Sequence, residues 1–288
     1  MLIEPVIRPP SEANSFLLQV TLGCSVNSCT FCGAYPQKPF KAKSLPEIFS
    51  DIADCQRHEP DTRRVFLCDG DALVLGNTKL VPILQKLQEK LPRLSKVSSY
   101  ANAQNILAKT DNELQALAQN KLTLLFVGLE SGSDTILTKV KKKATATEMV
   151  MAVQKAQANG LKVHVIVLLG LGGQTLSAEH ARDTAAVLNQ MQPSYLSLLS
   201  VMLVPGTELY TEYTQNKFQV LSEKELLQEA AWLIADLELQ HTIFRSDHAS
   251  NYLSLEGRFP KDKAQLLATI HAGLHGHLKL RPEGLRSL

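Results

Sequence analysis

Apolar residues recur along the chain in two alternating rhythms. Short continuous runs, rich in leucine and β-branched residues, read as strands buried on both faces: FLLQVTL (16–22), RVFLCDG (64–70), KVSSYAN (96–102), LTLLFVGLE (122–130), KVHVIVLLG (162–170) and YLSLLSVMLV (195–204). Between them lie segments of helical period: LPEIFSDIADCQRH (45–58), TKLVPILQKLQEKL (78–91), DNELQALAQN (111–120), SDTILTKV (133–140), ATEMVMAVQKAQANG (146–160) and SAEHARDTAAVLNQM (177–191). Ser44 and Glu47 form a capping-box pattern before the first helix, Pro82 starts or bends the second, and Gly160 stops the fifth. Strands alternating with helices predict an α/β fold with a parallel sheet. Six units are too few to close an eight-stranded barrel, so the expectation is a partial (β/α)6 barrel. Ligands collect at the C-terminal ends of such strands, where the loop after the first strand lies.

The pattern divides the chain into an N-terminal arm (1–15), the core (16–215) and a helical C-terminal extension (216–288). The extension holds a long amphipathic segment capped by Ser222 (222–239), a polar aromatic loop (241–257) and a second helix (262–277). Within that loop Arg245 and His248 suit a substrate carboxylate or phosphate, or a proton transfer, and a hydrogen-bonded surface loop would read the same way.

Composition narrows the function. Of 288 residues, 44% are hydrophobic and 20% charged, and 30 basic against 28 acidic residues leave a net charge of +2. So balanced a chain advertises neither a nucleic-acid nor a membrane surface. The N-terminus has no secretory pattern and the apolar runs are too short to span a bilayer, so a cytoplasmic location with reduced thiols is expected.

Reduced thiols give weight to TLGCSVNSCTFCGAYP (21–36). Cys24, Cys29 and Cys32 stand in the spacing C-x4-C-x2-C, which turns three thiolates toward one point. Structural zinc takes four protein ligands, and Cys55 and Cys68 form no second C-x2-C pair. An iron–sulfur cluster held by three thiolates leaves one iron open to a substrate or cofactor. A zinc or cluster module without enzymatic activity is the competing reading, and metal analysis separates the two.

These residues resemble the radical S-adenosylmethionine enzymes, whose usual C-x3-C-x2-C motif is one residue shorter in its first gap. The resemblance covers roughly residues 16–210 and favours the branch of the methylthiotransferases and oxygen-independent coproporphyrinogen oxidase. It implies a [4Fe–4S] cluster on Cys24, Cys29 and Cys32, with S-adenosylmethionine chelated at the open iron and cleaved to a 5′-deoxyadenosyl radical. It places Phe31 beside the adenine. Asp69, Gly70 and Asp71 match a Gly-Gly-Glu-like motif that accepts from the methionine amino group; alone they read as an Asp-Gly turn. Within VGLESGSD, Glu130 matches a cofactor-contacting position, and Lys142, twelve residues on, matches the basic residue that approaches the methionine carboxylate. In LLGLGGQT, Gly170 and Gly172 let the backbone approach the adenine. On the polar third strand, Tyr100 and Asn102 are expected to point into the barrel near the ribose or the substrate, and a strand ending in a polar loop would read the same way. Tyr100, Arg245 and His248 are the catalytic candidates.

The resemblance further implies a one-electron donor such as flavodoxin or ferredoxin. With no extra N-terminal cluster domain or C-terminal RNA-binding barrel evident, the expected substrate is a small molecule, and a radical enzyme acting on RNA is the alternative.

Overall fold

The structure is a computed structural model that describes residues 2–287. Along the chain the strands are β1 (Phe16–Gln19), β2 (Thr21–Leu22), β3 (Lys41–Ala42), β4 (Arg64–Cys68), β5 (Lys96–Tyr100), β6 (Leu122–Glu130), β7 (Lys162–Leu169), β8 (Tyr195–Ser200), β9 (Ile243–Arg245) and β10 (Glu256–Arg258). The helices are α1 (Leu45–His58), α2 (Asn77–Lys90), α3 (Ala103–Ala108), α4 (Asp111–Gln119), α5 (Asp134–Lys139), α6 (Ala146–Ala158), α7 (Gly173–Met191), α8 (Glu208–Thr214), α9 (Glu223–Ala235) and α10 (Lys263–Leu274). Strand order in the main sheet is β1-β4-β5-β6-β7-β8-β9-β10. The fold is the mostly parallel α/β arrangement that the alternation predicts.

The chain divides into two compact units: Met1–Asn27, Ala34–Val127 and Lys155–Val163 in the first, and Ser28–Gly33, Gly128–Gln154 and His164–Leu288 in the second. In the first unit β1, β4, β5 and β6 pair in parallel. One face of these strands buries Val65, Leu67, Val97 and Leu125 completely. On the other face the rings of Phe66, Tyr100 and Phe126 meet edge to face, with centroids 5.1–6.0 Å apart. Helices start as their sequences dictate, with complete capping boxes at Ser44/Glu47, Thr110/Glu113 and, in the second unit, Thr145/Glu148 and Ser222/Glu225. Helix α2 begins at Asn77 and carries Pro82 in its interior.

The expected strand 16–22 splits at Val20. Its N–H bonds the carbonyl of Cys68, while its own carbonyl accepts from Lys43, so the chain turns from β4 toward β3. In the second unit β7, β8 and β9 pair in parallel and β10 returns antiparallel to β9. The C-terminal segment thus contains the two expected helices, shortened to α9 and α10, and two short strands within and just past the loop expected over 241–257. Among the described residues no helix is long and apolar enough to cross a membrane.

Candidate active site

Asp69, fully buried after β4, holds the chain that enters the cysteine loop. Its Oδ2 accepts from Gly23 N at 2.8 Å and pairs with Lys38 Nζ at 2.6 Å; its Oδ1 accepts from Gln19 Nε2 at 3.1 Å. Gly70 N donates back to Gly23 O at 3.1 Å. A Cβ on Gly70 would lie 2.8 Å from Cys24 Cβ, so only glycine lets this turn lie against the first cysteine. Both oxygens of Asp69, expected to contact the cofactor, are therefore engaged in shaping the loop.

Asp71 has a different environment. Its Oδ2 accepts from Ser25 Oγ at 2.7 Å, from Asn102 Nδ2 at 2.6 Å and from Asn105 Nδ2. Its Oδ1 is buried without a hydrogen-bond partner. Burial pushes the carboxyl up to about 6, against the opposing hydrogen bonds. Asn102, the N-cap of α3, spends its Oδ1 on Asn105 N at 2.9 Å and its amide on Asp71. Ser25 and Asn105 complete this cluster; the sequence reading left Ser25 out, although it directly follows the first cysteine. Tyr100 lies half-buried in the aromatic trio, and the hydroxyl of Tyr35 is buried with no partner.

The other two cysteines belong to the second unit. Cys32 N bonds Cys29 O at 3.1 Å, closing a tight turn. That turn is fastened on both sides: Thr30 N donates to Val140 O at 3.1 Å, Thr30 O accepts from Leu209 N at 2.9 Å, and Ser28 Oγ donates to Lys141 O at 3.1 Å. Phe31 packs against the apolar cluster that includes Ile136, Leu171 and Phe218. A Cβ on Gly33 would come within 2.5 Å of Val204 Cγ1.

Also in the second unit, Glu130 and Lys142 form an ion pair of 2.9 Å, with side chains only 13% and 15% exposed. Glu130 adopts a left-handed backbone with φ 64°, and a Cβ on Gly128 would strike its carboxylate. Gly170, with φ 81°, makes the turn after β7, and its N–H donates to Glu229 Oε1 at 2.6 Å. Gly172 is the N-cap of α7, where a Cβ would press on Ile136 at 3.0 Å.

The C-terminal candidates stand on β9 and on the loop that follows it. Arg245 is ion-paired with Glu256, its register partner across β9 and β10, and both side chains are solvent-exposed. His248 is half-buried, its Nδ1 hydrogen-bonded to Ser250 at Oγ (2.9 Å) and N (3.1 Å), and burial pushes the imidazole below its ordinary range. Asn251 and Ser250 fasten this loop to β8, through Leu198 O at 2.8 Å and Ser200 N at 3.1 Å. Arg281 donates to the carbonyls of His248, Ala249 and Asn251. Together these contacts order the loop.

Among the described residues no cysteine forms a disulfide. Cys55 and Cys68 are buried, and burial pushes the Cys68 thiol up to about 12, which suits neither for ligation. Cys24 and Cys29 are half-buried and Cys32 is exposed. Among the described residues no three His, Cys, Asp or Glu side chains gather as a preformed metal cage. The donor set on the loop is sulfur alone, three thiols without an imidazole or carboxylate, which is the chemistry an iron–sulfur cluster takes. Asp71 Oδ1 is an acceptor left without a donor.

Comparison with known proteins agrees. The model of the radical SAM superfamily matches residues 18–185. The uncharacterized protein MK0932 of Methanopyrus kandleri is 28% identical over 174 residues, which is 56% of this chain and 32% of that protein. The chain therefore spans about a third of the length of that curated relative. Methylornithine synthase (PylB) superposes with a TM-score of 0.56 at 14% identity, covering 89% of this chain and 68% of its own. Coproporphyrinogen III oxidase (HemN) from Escherichia coli gives 0.55 at 15% identity, over 77% and 52% of the two chains. Elp3 of Methanocaldococcus infernus gives 0.55 at 14%, over 83% and 58%. At these identities the superpositions establish the partial-barrel fold. The family match covers more than half of the chain and sets aside the reading as a non-enzymatic metal module: the chain belongs to the radical SAM superfamily and is a radical SAM enzyme, of a family that binds a [4Fe–4S] cluster and S-adenosylmethionine.

Proposed function

We propose that Cys24, Cys29 and Cys32 hold the cluster and that the enzyme takes hydrogen from a small-molecule substrate. Bound together, cluster and S-adenosylmethionine supply a 5′-deoxyadenosyl radical through one-electron cleavage of the sulfonium carbon–sulfur bond. What carries the reading is the close approach of Gly70 to Cys24, which brings a buried carboxylate with one free oxygen, Asp71, to the residue next to the first thiol. A burial-raised carboxyl gains by accepting from a cation, so Asp71 Oδ1 is assigned the methionine amino group. Lys142, already turned toward Glu130, is assigned the carboxylate as a point charge.

The turns at Gly170 and Gly172 and the ring of Phe31 form the adenine contacts. Asp69 orders the loop and touches no cofactor. Tyr100, with Asn102 beside Asp71, is assigned to orient the substrate, and the apolar rings around it exclude water that would quench a radical. Arg245 and His248 hold their loop. Cys32 is the exposed thiol of the three, so electrons from a cytoplasmic flavodoxin or ferredoxin enter on its side. A balanced charge supports a small molecule over a polyanion such as RNA. The test is anaerobic reconstitution followed by dithionite: the protein releases 5′-deoxyadenosine, and Cys29→Ala releases none. Cleavage that persists in Cys29→Ala refutes the assignment.

A further inference from the structure

The two turns assigned to the cofactor, at Glu130 and Gly170, are held from behind by one buried polar network. Glu229 of α9 is fully buried. Its Oε1 accepts the Gly170 N–H at 2.6 Å and its Oε2 accepts the Ser177 hydroxyl at 2.5 Å. His180 of α7, also fully buried, places Nε2 3.7 Å from the same Oε1. Its Nδ1 is hydrogen-bonded to Ser131 Oγ at 2.8 Å, on the residue after Glu130. One helical turn on, Thr184 Oγ1 accepts the Gly132 N–H at 2.8 Å. Hydrogen bonds thus tie Gly170 and Ser177 to Glu229, and Ser131 to His180; between the two groups His180 Nε2 faces Glu229 Oε1 without a hydrogen bond.

Such a network is an expensive way to pack two helices. Desolvating a carboxylate costs several kcal/mol, and a leucine would fill the space between α7 and α9 without that cost. What leucine could not do is accept the amide of a left-handed glycine and the Ser177 hydroxyl at once. The Glu229 carboxyl therefore fixes the Gly170 turn on Ser177 of α7, and His180 and Thr184 of the same helix fix the turn after Glu130.

We propose that Glu229 and His180 are positioning residues for S-adenosylmethionine, setting the Gly170 and Glu130 turns at the spacing the nucleotide requires. This rests on the reading of those turns as cofactor contacts. The test uses reconstituted holoenzyme without reductant and measures S-adenosylmethionine affinity by equilibrium dialysis, beside iron content and melting temperature. Glu229→Leu keeps the packing and removes the acceptor; it folds and holds its iron, but binds S-adenosylmethionine about tenfold or more weakly, as loss of an outer-shell partner does. Glu229→Gln, whose amide oxygen still accepts Gly170 N–H, restores affinity to within about threefold of wild type, a difference of about 0.7 kcal/mol.

Unchanged affinity in Glu229→Leu overturns the proposal. Should that variant fail to fold, His180→Ala is read by the same criterion. Gly170→Ala separates the two levels, because its Cβ would press on Leu226 at 3.0 Å and Val201 at 3.1 Å. If Gly170→Ala weakens binding and Glu229→Leu does not, the positioning role alone fails. If neither weakens it, the assignment of the turn to the cofactor fails first.

Discussion

Replacing Glu229 by glutamine should flatten the dependence of folding stability on pH. Burial pushes this carboxyl from its ordinary 4.5 up to about 7, against hydrogen bonds from Ser177 and Gly170. A raised carboxyl means that the folded state binds the proton more tightly than the unfolded chain. Its stabilising contribution is complete below the unfolded pKa and is lost as pH rises through the folded one. A shift of this size is worth roughly 3 kcal/mol in all, most of which disappears between about pH 5 and about pH 8. Glutamine has the same shape and no proton to lose, so the variant lacks this slope. His180 is pushed down to about 4 by burial and contributes the opposite slope, but it is present in both proteins and cancels in the difference. The assay is urea unfolding of wild type and Glu229→Gln at both pH values. Wild type should lose about 2 to 3 kcal/mol more than the variant on going to the higher pH. Equal losses would refute the claim that this buried carboxyl holds a proton.

Three further outcomes follow from the geometry. Gly70→Ala must displace Cys24, from which its Cβ would stand 2.8 Å, so iron content on reconstitution should fall by about half or more while the protein still folds. Lys142→Met leaves Glu130 uncompensated in a site 13% exposed; urea unfolding should show a loss of about 2 kcal/mol, less than for a fully buried pair, and S-adenosylmethionine affinity should drop about tenfold. Arg281→Ala removes three hydrogen bonds to carbonyls and should speed hydrogen exchange at Asn251 about tenfold or more, with iron content unchanged.

Much of this architecture was legible in the residues. The leucine-rich runs and the capping box at Ser44 located strands and helices, because period and capping are local properties. The thiol spacing located the chemistry for the same reason. What escaped depended on contacts between segments distant in sequence. β9 and β10 are three residues each, too short to carry a pattern, and exist because β8 offers an open edge. That Arg245 pairs with Glu256 and His248 with Ser250 was likewise invisible in a loop crowded with polar residues.

Asp69 looked like a cofactor ligand because it follows a strand, while its burial beside Gly23 and Lys38 is a tertiary fact. Glu229 and His180 left a signal that went unread. Glu229 stands three residues after Leu226 and four before Leu233, inside the buried stripe of α9, and His180 sits likewise between Ser177 and Thr184 on α7. A charged or ionisable residue in phase with a buried stripe is the mark of an internal network.

The central claim is a cluster with an iron left open for S-adenosylmethionine. The direct measurement is the electron paramagnetic resonance spectrum of the anaerobically reduced protein, with and without S-adenosylmethionine, beside iron analysis. About four irons per chain are expected, with a spectrum that changes when S-adenosylmethionine is added. Four irons with a spectrum indifferent to S-adenosylmethionine, or zinc in place of iron, would contradict it.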